Sequence, residues 1–363
     1  MSIELLHKEA VDLLQQLISI ASFSKCEDGT ASAIESFLRQ RGVETERLVN
    51  NVWSVNKYFD SSKPSILLNS HHDTVKPNPQ YTKDPFTPIT ENGKLFGLGS
   101  NDAGGCLVSL IATFLFFYNK KDLKYNLILA ATAEEEITGY HGIELLLGNK
   151  VFQSVLNGKE PDCAIVGEPT KMDLAIAEKG LMVLDCISYG KAGHAARAEG
   201  ENAIYKALKD VEWFRNYHFP RVSEWLGAVK MTVTVINTEN KTHNIVPSAC
   251  SFVVDTRITE LYTHEEVFKT IRQNVECEVR PRSMRLRSTR IDINHPIVRA
   301  GVSLGKTCYG SPTSSDKALI AFPALKCGPG NSARSHTPDE FIYLDEIRDG
   351  IEGYIAMLTK IIL

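Results

Sequence analysis

The chain has 363 residues, of which 43% are hydrophobic and 23% are charged, and this is the composition of an ordinary globular protein. Because 40 basic residues face 44 acidic ones, the net charge is only −4, which gives no electrostatic reason to bind nucleic acid or an anionic membrane. At roughly 150 residues per domain, the length predicts about two domains.

The first 20 residues predict an amphipathic helix. Their apolar residues have helical spacing, and Glu4, Glu9 and Asp12 interrupt the apolar run, so a secretory signal is not expected. The most apolar stretch, 103–118, is shorter than the roughly 20 residues that span a bilayer, and it predicts a buried core helix. The eight cysteines form no CxxC pair, which favours reduced thiols and a cytoplasmic location.

The first half of the chain alternates short, continuously apolar runs with helical patterns. Continuous apolar runs are typical of parallel strands that helices cover on both faces. The predicted strands are 65–70, 126–132 and 162–166, and the predicted helices are 30–42, 104–118 and 142–147. This order indicates an α/β domain.

The middle of the chain has a different pattern, in the order β-α-β-β-α-β of a split βαβ sandwich. The predicted elements are strands at 180–189, 228–236, 248–258 and from 277, with helices at 202–217 and 264–273. The α/β pattern resumes near Arg290. We therefore predict an inserted domain at 175–284, between the two parts of a catalytic domain at 1–174 and 285–363.

Side chains that can bind metal ions follow each of the three strands of the first half. They lie at 71–73 (HHD), 134–136 (EEE) and 167–169 (GEP), while Asp102 lies in a glycine-rich turn before the long apolar helix. Sites in open α/β sheets form beyond the carboxyl ends of the strands. Carboxylates gathered there raise one another's pKa unless cations neutralise them. A mixed set of carboxylates and imidazoles suits zinc or cobalt.

Each of these motifs has a plainer interpretation when it is taken alone. A lone His-x-Asp is usually structural or lies on the surface, and three consecutive glutamates are usually the solvated start of a helix. Gly-Glu-Pro is compatible with a simple turn, and the turn at Asp102 with a simple helix entry. Their occurrence in order at the strand ends and turns of one predicted sheet favours a shared metal site.

These segments resemble peptidase family M20, which includes acetylornithine deacetylase, succinyl-diaminopimelate desuccinylase and the aminoacylases. The matching stretches are SHHDTVKP (70–77), GLGSNDAGG (97–105), ATAEEE (131–136), GEPT (167–170), GKAGH (190–194) and HTPDE (336–340). They occur in family order over almost the whole chain. The resemblance implies a zinc-exopeptidase-like α/β catalytic domain with an inserted ferredoxin-like lid and dimerisation domain.

The resemblance also implies two divalent metal ions, zinc with cobalt as the alternative. Asp102 would bridge the two ions. His71 and Glu168 would complete the site of one ion, and Glu136 and His336 would complete the site of the other.

Two further residues have implied roles in catalysis. Glu135 would be the general base that acts on the attacking water and then passes the proton to the leaving amine. Asp73 would orient His71 without binding a metal itself, which fits its position two residues further along an extended segment.

His194 follows Gly-Lys-Ala-Gly, and its plainer interpretation is an exposed loop residue without a role. The resemblance instead implies that His194 donates a hydrogen bond to the tetrahedral oxyanion, typically from the partner subunit of a dimer. We therefore predict a homodimer that forms through the inserted domain and shares its active sites.

Three residues are candidates for substrate binding. Arg257 is compatible with an ion pair to Asp255 or Glu260, whereas the resemblance implies that it binds a substrate carboxylate as a bidentate fork. Asn244 and Gly328 would line the same pocket. His72, His243 and His295 have no assigned role.

The implied function is metal-dependent hydrolysis of an Nα-acyl amino acid, with N-acetylornithine in arginine biosynthesis as the leading substrate. The alternatives are acetylcitrulline, succinylornithine, succinylcitrulline, succinyl-diaminopimelate and dipeptides. An inactive metal-binding relative is a hypothesis of a different class, but such a protein would have no reason to retain Glu135. The expected partners are thus a small acyl amino acid and a second copy of the chain, with neither nucleic acid nor membrane.

Overall fold

The computed structural model describes residues 1–197 and 199–363. The chain forms two compact units. Unit 1 contains Met1–Ile176, Ile291–Tyr309 and Ser315–Leu363, and unit 2 contains Ala177–Arg290 and Gly310–Ser314. The chain thus leaves unit 1 after Ile176 and returns to it at Ile291. It enters unit 2 once more, for Gly310–Ser314.

These units differ from the sequence-based bounds of 175–284 for the insertion and 285–363 for the end of the catalytic domain. Residues 285–290 belong to unit 2, where Thr289 and Arg290 pair as an antiparallel strand with Glu178 and Ala177. The segment Gly310–Ser314 also belongs to unit 2, because the amide of Lys179 donates to the carbonyl of Ser311 and the hydroxyl of Ser314 donates to the carbonyl of Lys179.

The elements are numbered along the chain. The helices are α1 (Ile3–Ile18), α2 (Asp28–Arg39), α3 (Gly105–Tyr118), α4 (Ile143–Leu147), α5 (Lys150–Val155), α6 (Ala203–Asn216), α7 (His264–Asn274), α8 (Pro296–Val302) and α9 (Leu344–Ile362). The strands are β1 (Glu46–Leu48), β2 (Asn51–Val55), β3 (Ser65–His71), β4 (Ile89–Glu91), β5 (Lys94–Phe96), β6 (Asn126–Thr132), β7 (Cys163–Val166), β8 (Leu174–Glu178), β9 (Gly180–Tyr189), β10 (Gly193–His194), β11 (Lys230–Thr238), β12 (Ile245–Val246), β13 (Ala249–Ile258), β14 (Glu278–Pro281), β15 (Thr289–Arg290), β16 (Cys308–Ser311), β17 (Ala324–Lys326) and β18 (Phe341–Tyr343).

A mixed sheet forms the centre of unit 1, in the order β1-β2-β6-β3-β7-β17-β8. Its middle strands are parallel, because β3 pairs with both β6 and β7, and β7 pairs with β17. Every residue of β3, β6 and β7 is buried, as expected for strands that helices cover on both faces. The carboxyl ends of these strands therefore lie along one edge of the sheet, and the predicted α/β class is confirmed.

Helices pack on the two faces of this sheet. On one face, α3 contacts α1, α9 and strands β3 and β6. On the other, the apolar side chains of α4 and α5 pack against those of the strands, with Phe152 contacting Trp53 edge to face. By length and composition, the stretch Ser100–Tyr118 could cross a membrane, but 89% of its apolar window is buried inside the protein. It is a core helix.

A small antiparallel sheet, in the order β18-β5-β4, joins two distant parts of unit 1. Phe341 of β18 lies opposite Phe96 of β5, and the amide of Gly97 donates to the carbonyl of Glu340. The segment that follows His336 is thereby fixed beside the segment that precedes Asp102.

Unit 2 contains a four-stranded antiparallel sheet in the order β11-β13-β9-β14. With α6 after β9 and α7 after β13, this is the predicted ferredoxin-like βαββαβ topology. Alternate residues of β9, such as Met182 and Leu184, are buried in a core that also contains Phe214 of α6 and Ile271 of α7.

Candidate metal centre

The carboxyl edge of the central sheet carries three of the predicted segments. His71 is the last residue of β3, and the turn Glu134–Glu136 begins two residues after β6. Glu168 lies two residues after β7. Because β3 is the parallel neighbour of both β6 and β7, these side chains meet at one place.

Asp102 comes to the same edge in a turn between β5 and α3. The amides of Asn101 and Asp102 both donate to Oε1 of Glu340, at 2.8 and 2.9 Å. Glu340 is only 1% exposed. A buried glutamate side chain thus holds the backbone at the residue that is predicted to bridge the ions.

His336 lies in the loop after β17, and polar contacts fix this loop beside Asp102. The amide of Asn331 donates to Oδ1 of Asn101 at 2.9 Å, and Nδ2 of Asn101 donates to the carbonyl of Asn331 at 3.1 Å. His336 is half exposed, in contrast to the buried His71.

The five predicted ligands form two clusters that share Asp102. In the first cluster, Nε2 of His71 lies 3.4 Å from Oδ1 of Asp102 and 3.7 Å from Oε1 of Glu168. In the second, Nε2 of His336 lies 3.6 Å from Oδ2 of Asp102 and 3.0 Å from Oε2 of Glu136. The two oxygens of Asp102 therefore face different clusters, as a bridging carboxylate requires.

The donor set fits a pair of divalent cations. Each cluster offers one imidazole nitrogen and two carboxylates, a combination that zinc accepts. Zinc-to-ligand distances of about 2 Å separate neighbouring ligand atoms by roughly 3–4 Å. The histidine-to-carboxylate separations in the clusters are 3.0–3.7 Å, and all ligand atoms of each cluster lie within 4.8 Å of one another. Both clusters could therefore hold an ion without rearrangement of the backbone.

Asp73 makes contacts that orient its neighbours. Nδ1 of His71 lies 3.0 Å from the carbonyl oxygen of Asp73, so a proton on Nδ1 leaves Nε2 free to bind a metal. The carboxylate of Asp73 accepts hydrogen bonds from the amides of Glu135 (3.0 Å) and Glu136 (3.1 Å) and from the hydroxyl of Ser24 (2.7 Å). One buried side chain thus aligns β3 with the Glu134–Glu136 turn.

Glu135 belongs to neither cluster but lies beside the first one. Its Oε2 is 3.9 Å from Nε2 of His71. Burial raises the pKa of Glu135 well above its usual value, and the carboxylates of Glu168, Asp316 and Glu136 raise it further. Burial opposes protonation of His71, but Glu135 and then Asp102 and Asp73 outweigh it and raise the pKa of His71 well above 6.5. This crowding of carboxylates is the electrostatic condition that bound cations relieve.

The predicted residues His194 and Asn244 lie in unit 2, where they are close to each other. His194 of β10 pairs with Ile245 of β12, and the amide of Ala195 donates to the carbonyl of Asn244 at 2.9 Å. Nδ1 of His194 accepts a hydrogen bond from the amide of Ala196 at 3.1 Å, so Nε2 is the nitrogen that can donate to a substrate. Their roles stay predictions.

Arg257 also lies in unit 2, on β13. Its Nε and Nη2 donate to the two carboxylate oxygens of Asp255, at 2.8 and 3.0 Å. The ion pair between Arg257 and Asp255, one of the interpretations that the sequence left open, is therefore present. Binding of a substrate carboxylate by Arg257 stays a prediction.

Gly328 lies in unit 1, in a buried loop behind Glu168. Its amide donates to the hydroxyl of Thr170 at 3.0 Å, and its carbonyl accepts from the amides of Thr170 and Met172. A Cβ at this position would lie 2.6 Å from Sγ of Cys106. These contacts support the backbone behind Glu168, and a role of Gly328 in substrate binding stays a prediction.

Asp316 is a buried residue near the centre that sequence reasoning missed. Its Oδ2 accepts hydrogen bonds from Nδ2 of Asn69 (2.9 Å) and the hydroxyl of Thr132 (2.7 Å), and Thr132 lies opposite His71 between β6 and β3. Burial raises the pKa of Asp316 to about 6. Asp316 follows two serines in an aperiodic segment, which carries no signal of such a role.

The two clusters that share Asp102 have the donor arrangement of a co-catalytic metallohydrolase. Residues 67–360 match the sequence model of peptidase family M20/M25/M40. The chain therefore belongs to this family, and the resemblance noted in its motifs is confirmed.

Relatives that are named for an enzymatic activity match almost the whole chain. The succinyl-diaminopimelate desuccinylase of Wolbachia pipientis subsp. Culex pipiens is 24% identical over 98% of this chain and 95% of its own length. The [LysW]-lysine/[LysW]-ornithine hydrolase of Saccharolobus solfataricus is 26% identical over 99% of this chain and 97% of its own.

Solved structures share the fold. An M20 family metallo-carboxypeptidase from Sulfolobus solfataricus superposes with a TM-score of 0.74 at 18% identity, covering 97% of this chain and 98% of its own. A dinuclear metal-binding peptidase of family M20 from Bacillus subtilis superposes with a TM-score of 0.74 at 16% identity, covering 99% and 98%.

Proposed function

We propose that this protein hydrolyses the amide bond of an N-acylated diamino acid, with N-acetylornithine as the leading substrate. The observation that carries the proposal is the position of Glu135, whose carboxylate lies beside two metal-type clusters and belongs to neither. A ligand set alone would serve storage or structure, whereas an adjacent free carboxylate serves proton transfer.

The proposed reaction begins with attack of water on the amide carbonyl. When bound, two divalent ions lower the pKa of water and polarise the carbonyl oxygen. Glu135 takes a proton from the attacking water and returns it to the nitrogen of the leaving amine as the carbon–nitrogen bond breaks. The products are a carboxylic acid and an amino acid with a free amine.

We propose zinc as the metal, with cobalt as the alternative. The clusters combine imidazole nitrogens with carboxylate oxygens, and both metals accept this set. Asp102 would bridge the ions, with His71 and Glu168 on one side and Glu136 and His336 on the other.

The substrate class is supported by what the relatives have in common. Their names describe hydrolases that act on derivatives of diaminopimelate, lysine and ornithine, all of which are diamino acids. N-Acetylornithine belongs to this class and would place the enzyme in arginine biosynthesis. Succinylated and [LysW]-linked diamino acids are the closest competing substrates.

We further propose a homodimer that forms through unit 2, with His194 completing the active site of the partner. Apolar side chains of unit 2 are exposed on α6 and on β11, among them Tyr205 (69% exposed), Leu208 (48%) and Ile236 (51%). β11 is also an edge strand of its sheet, and an exposed edge is a template for pairing. A second copy would cover both features.

A cytoplasmic location is supported by the cysteines. All eight lie among the described residues and all are free thiols, as is usual in a reducing compartment.

The test of the function is a substrate panel with the zinc-loaded protein. N-Acetylornithine, N-acetylcitrulline, succinylornithine, succinyl-diaminopimelate and dipeptides are supplied at equal concentration, and released amine is measured. We expect the highest kcat/KM with an acylated diamino acid. Cleavage of dipeptides without turnover of any acyl amino acid would refute the substrate class. No turnover of any of these compounds, with both metals bound, would also refute the proposed substrates.

A further inference from the structure

The proposed base, Glu135, and the proposed ligand Glu136 lie in a turn in which each backbone amide donates a hydrogen bond to a carboxylate. The amides of Glu135 and Glu136 donate to the two oxygens of Asp73. The amide of Glu134 donates to Oε1 of a different carboxylate, Glu27, at 3.2 Å. Three consecutive amides therefore donate to two buried carboxylates, those of Glu27 and Asp73, and neither belongs to a metal cluster.

Glu27 has a precise set of contacts although it is fully buried, at 0% exposure. Its Oε1 also accepts the amide of Lys25 at 2.6 Å, and its Oε2 accepts Nδ2 of Asn50 at 2.8 Å. A buried carboxylate is costly unless hydrogen bonds compensate it. Here they come from three separate segments, so Glu27 fixes the Glu134–Glu136 turn to the start of α2 and to the loop before β2.

Glu340 holds the other ligand-bearing turn in the same manner. Its Oε1 accepts the amides of both Asn101 and Asp102, and β18, which follows it, is paired with β5. A glutamate thus accepts backbone amides in each of these two irregular turns, whereas His71 ends strand β3 and Glu168 lies two residues after β7.

We propose that Glu27 and Glu340 are positioning residues of the metal centre, which act through the backbone amides of the Glu134–Glu136 and Asn101–Asp102 turns. This inference rests on the proposed metal-dependent function. Loss of Glu27 loosens the turn that carries Glu136, a ligand of one cluster only. Loss of Glu340 loosens Asp102, which both clusters share.

The decisive experiment is a zinc titration of the metal-free protein by calorimetry. Residues that orient metal ligands typically change metal affinity by about 10–100-fold when they are removed. We expect Glu27→Ala to lower the affinity for one of the two zinc ions by a factor in this range and to leave the affinity for the other unchanged. Glu340→Ala should weaken both. In zinc-saturated Glu27→Ala, kcat should fall while KM changes little, because Glu135 lies on the same turn.

A matched control is available in unit 2. Asp210 is also buried (4% exposed) and also accepts two backbone amides, those of Glu276 and Cys277 at 3.0 and 2.9 Å. Asp210→Ala should lower the melting temperature but leave both zinc affinities unchanged. Glu27→Gln retains an oxygen for the amides of Lys25 and Glu134, and it should recover most of the zinc affinity that Glu27→Ala loses.

The outcomes separate the two proposals. If the unaltered protein binds no zinc, the proposed metal centre itself is wrong. If it binds two ions and the Glu27 and Glu340 variants bind them as tightly as it does, with only a lower melting temperature, both glutamates are merely structural and the inference fails. If Glu27→Ala weakened the binding of both zinc ions equally, Glu27 would not act through Glu136, and this part of the inference would be wrong.

Discussion

Glu135 and Glu136 are chemically identical neighbours that the fold directs to different tasks. Glu136 lies 3.0 Å from His336 in one cluster, whereas Glu135 lies 3.9 Å from His71 and outside both clusters. Their successive amides donate to the two oxygens of Asp73, which holds this part of the turn in place. A difference in backbone direction, not in side-chain chemistry, separates the proposed base from the proposed ligand.

Replacement of Glu135 by glutamine tests this separation. Glu135→Gln keeps the size of the side chain but cannot accept the proton, and general acid–base catalysis typically contributes about 10²- to 10⁴-fold. We expect kcat to fall by about that factor while the protein retains both metal ions. Elemental analysis and steady-state kinetics measure the two effects. Loss of one metal equivalent would make Glu135 a ligand instead.

The carboxylates of the centre also predict how pH affects the metal-free protein. Burial and the charge of Asp102 raise the pKa of Glu340 from 4.5 to about 8. Between these values the folded state keeps a proton that the unfolded state has released, so the stability falls as pH rises. We expect the free energy of unfolding of the chelated protein to decrease from about pH 4.5 to about pH 8.

Urea unfolding at a series of pH values measures this decrease. Glu340→Gln has no proton to lose, so its profile should be flatter than that of the unaltered chelated protein over the same range. Identical slopes for the two proteins would contradict the assignment to Glu340.

At the scale of the elements, the turn before α3 depends on a glycine with little freedom to change. Gly99 has φ of +75°, and a Cβ there would lie 2.6 Å from Cγ2 of Thr74. Gly93, between β4 and β5, has almost the same φ of +74° but has no atom within 4 Å of its Cβ position. The two positions therefore share the cost of the backbone conformation and differ in the steric clash.

The comparison of Gly99→Ala with Gly93→Ala isolates the clash. Gly93→Ala should cost about 1 kcal/mol, the usual cost of left-handed backbone in a residue with a Cβ. Gly99→Ala should cost more, and it should also weaken zinc binding because the turn carries Asp102. Thermal unfolding and zinc titration measure both quantities. Equal stability of the two variants would show that Thr74 moves away without cost.

The sequence predicted the elements that have a strong local pattern. The strands 126–132 and 180–189 coincide with β6 and β9, because continuous or alternating apolar runs report burial directly. The strand 65–70 extends one further residue to include His71. Short strands such as β5 and β18 were missed, because they are three residues long and are defined by pairing between distant segments.

The candidate site was predictable to the extent that its residues follow strands. His71 and Glu168 could be identified in this way, whereas His336 follows no strand directly and was identified only through the resemblance. Glu27 and Asp316 could not be assigned any role, because each acts on groups far away in the sequence. When a single acidic residue lies in an aperiodic segment, the sequence does not indicate which amide or hydroxyl will donate a hydrogen bond to it.

At the scale of the whole molecule, the proposed dimer makes a quantitative prediction. Glu135 lies in unit 1 and His194 in unit 2. If each active site takes His194 from the partner, a mixed dimer of Glu135→Gln and His194→Ala subunits has one intact site. Random reassociation of equal amounts of the two inactive variants should then restore about one quarter of full activity, since half of the symmetric dimers are mixed.

Activity after mixing, with analytical ultracentrifugation to confirm reassociation, measures this effect. A useful control is Ile236→Lys, which places a charge on the exposed edge of β11 and should reduce both the dimer fraction and the restored activity. Absence of any recovery in reassociated dimers would show that His194 acts within its own subunit.

The order of the ligands along the chain has a consequence for synthesis on the ribosome. His71, Asp102 and Glu168 all precede unit 2, so the nascent chain contains one full donor set before the inserted unit has been translated. His336 and the inner strand β17 follow only after it. If the proposed clusters bind metal ions, the donors of the first cluster are complete early in translation, whereas the second cluster is completed only when His336 is added.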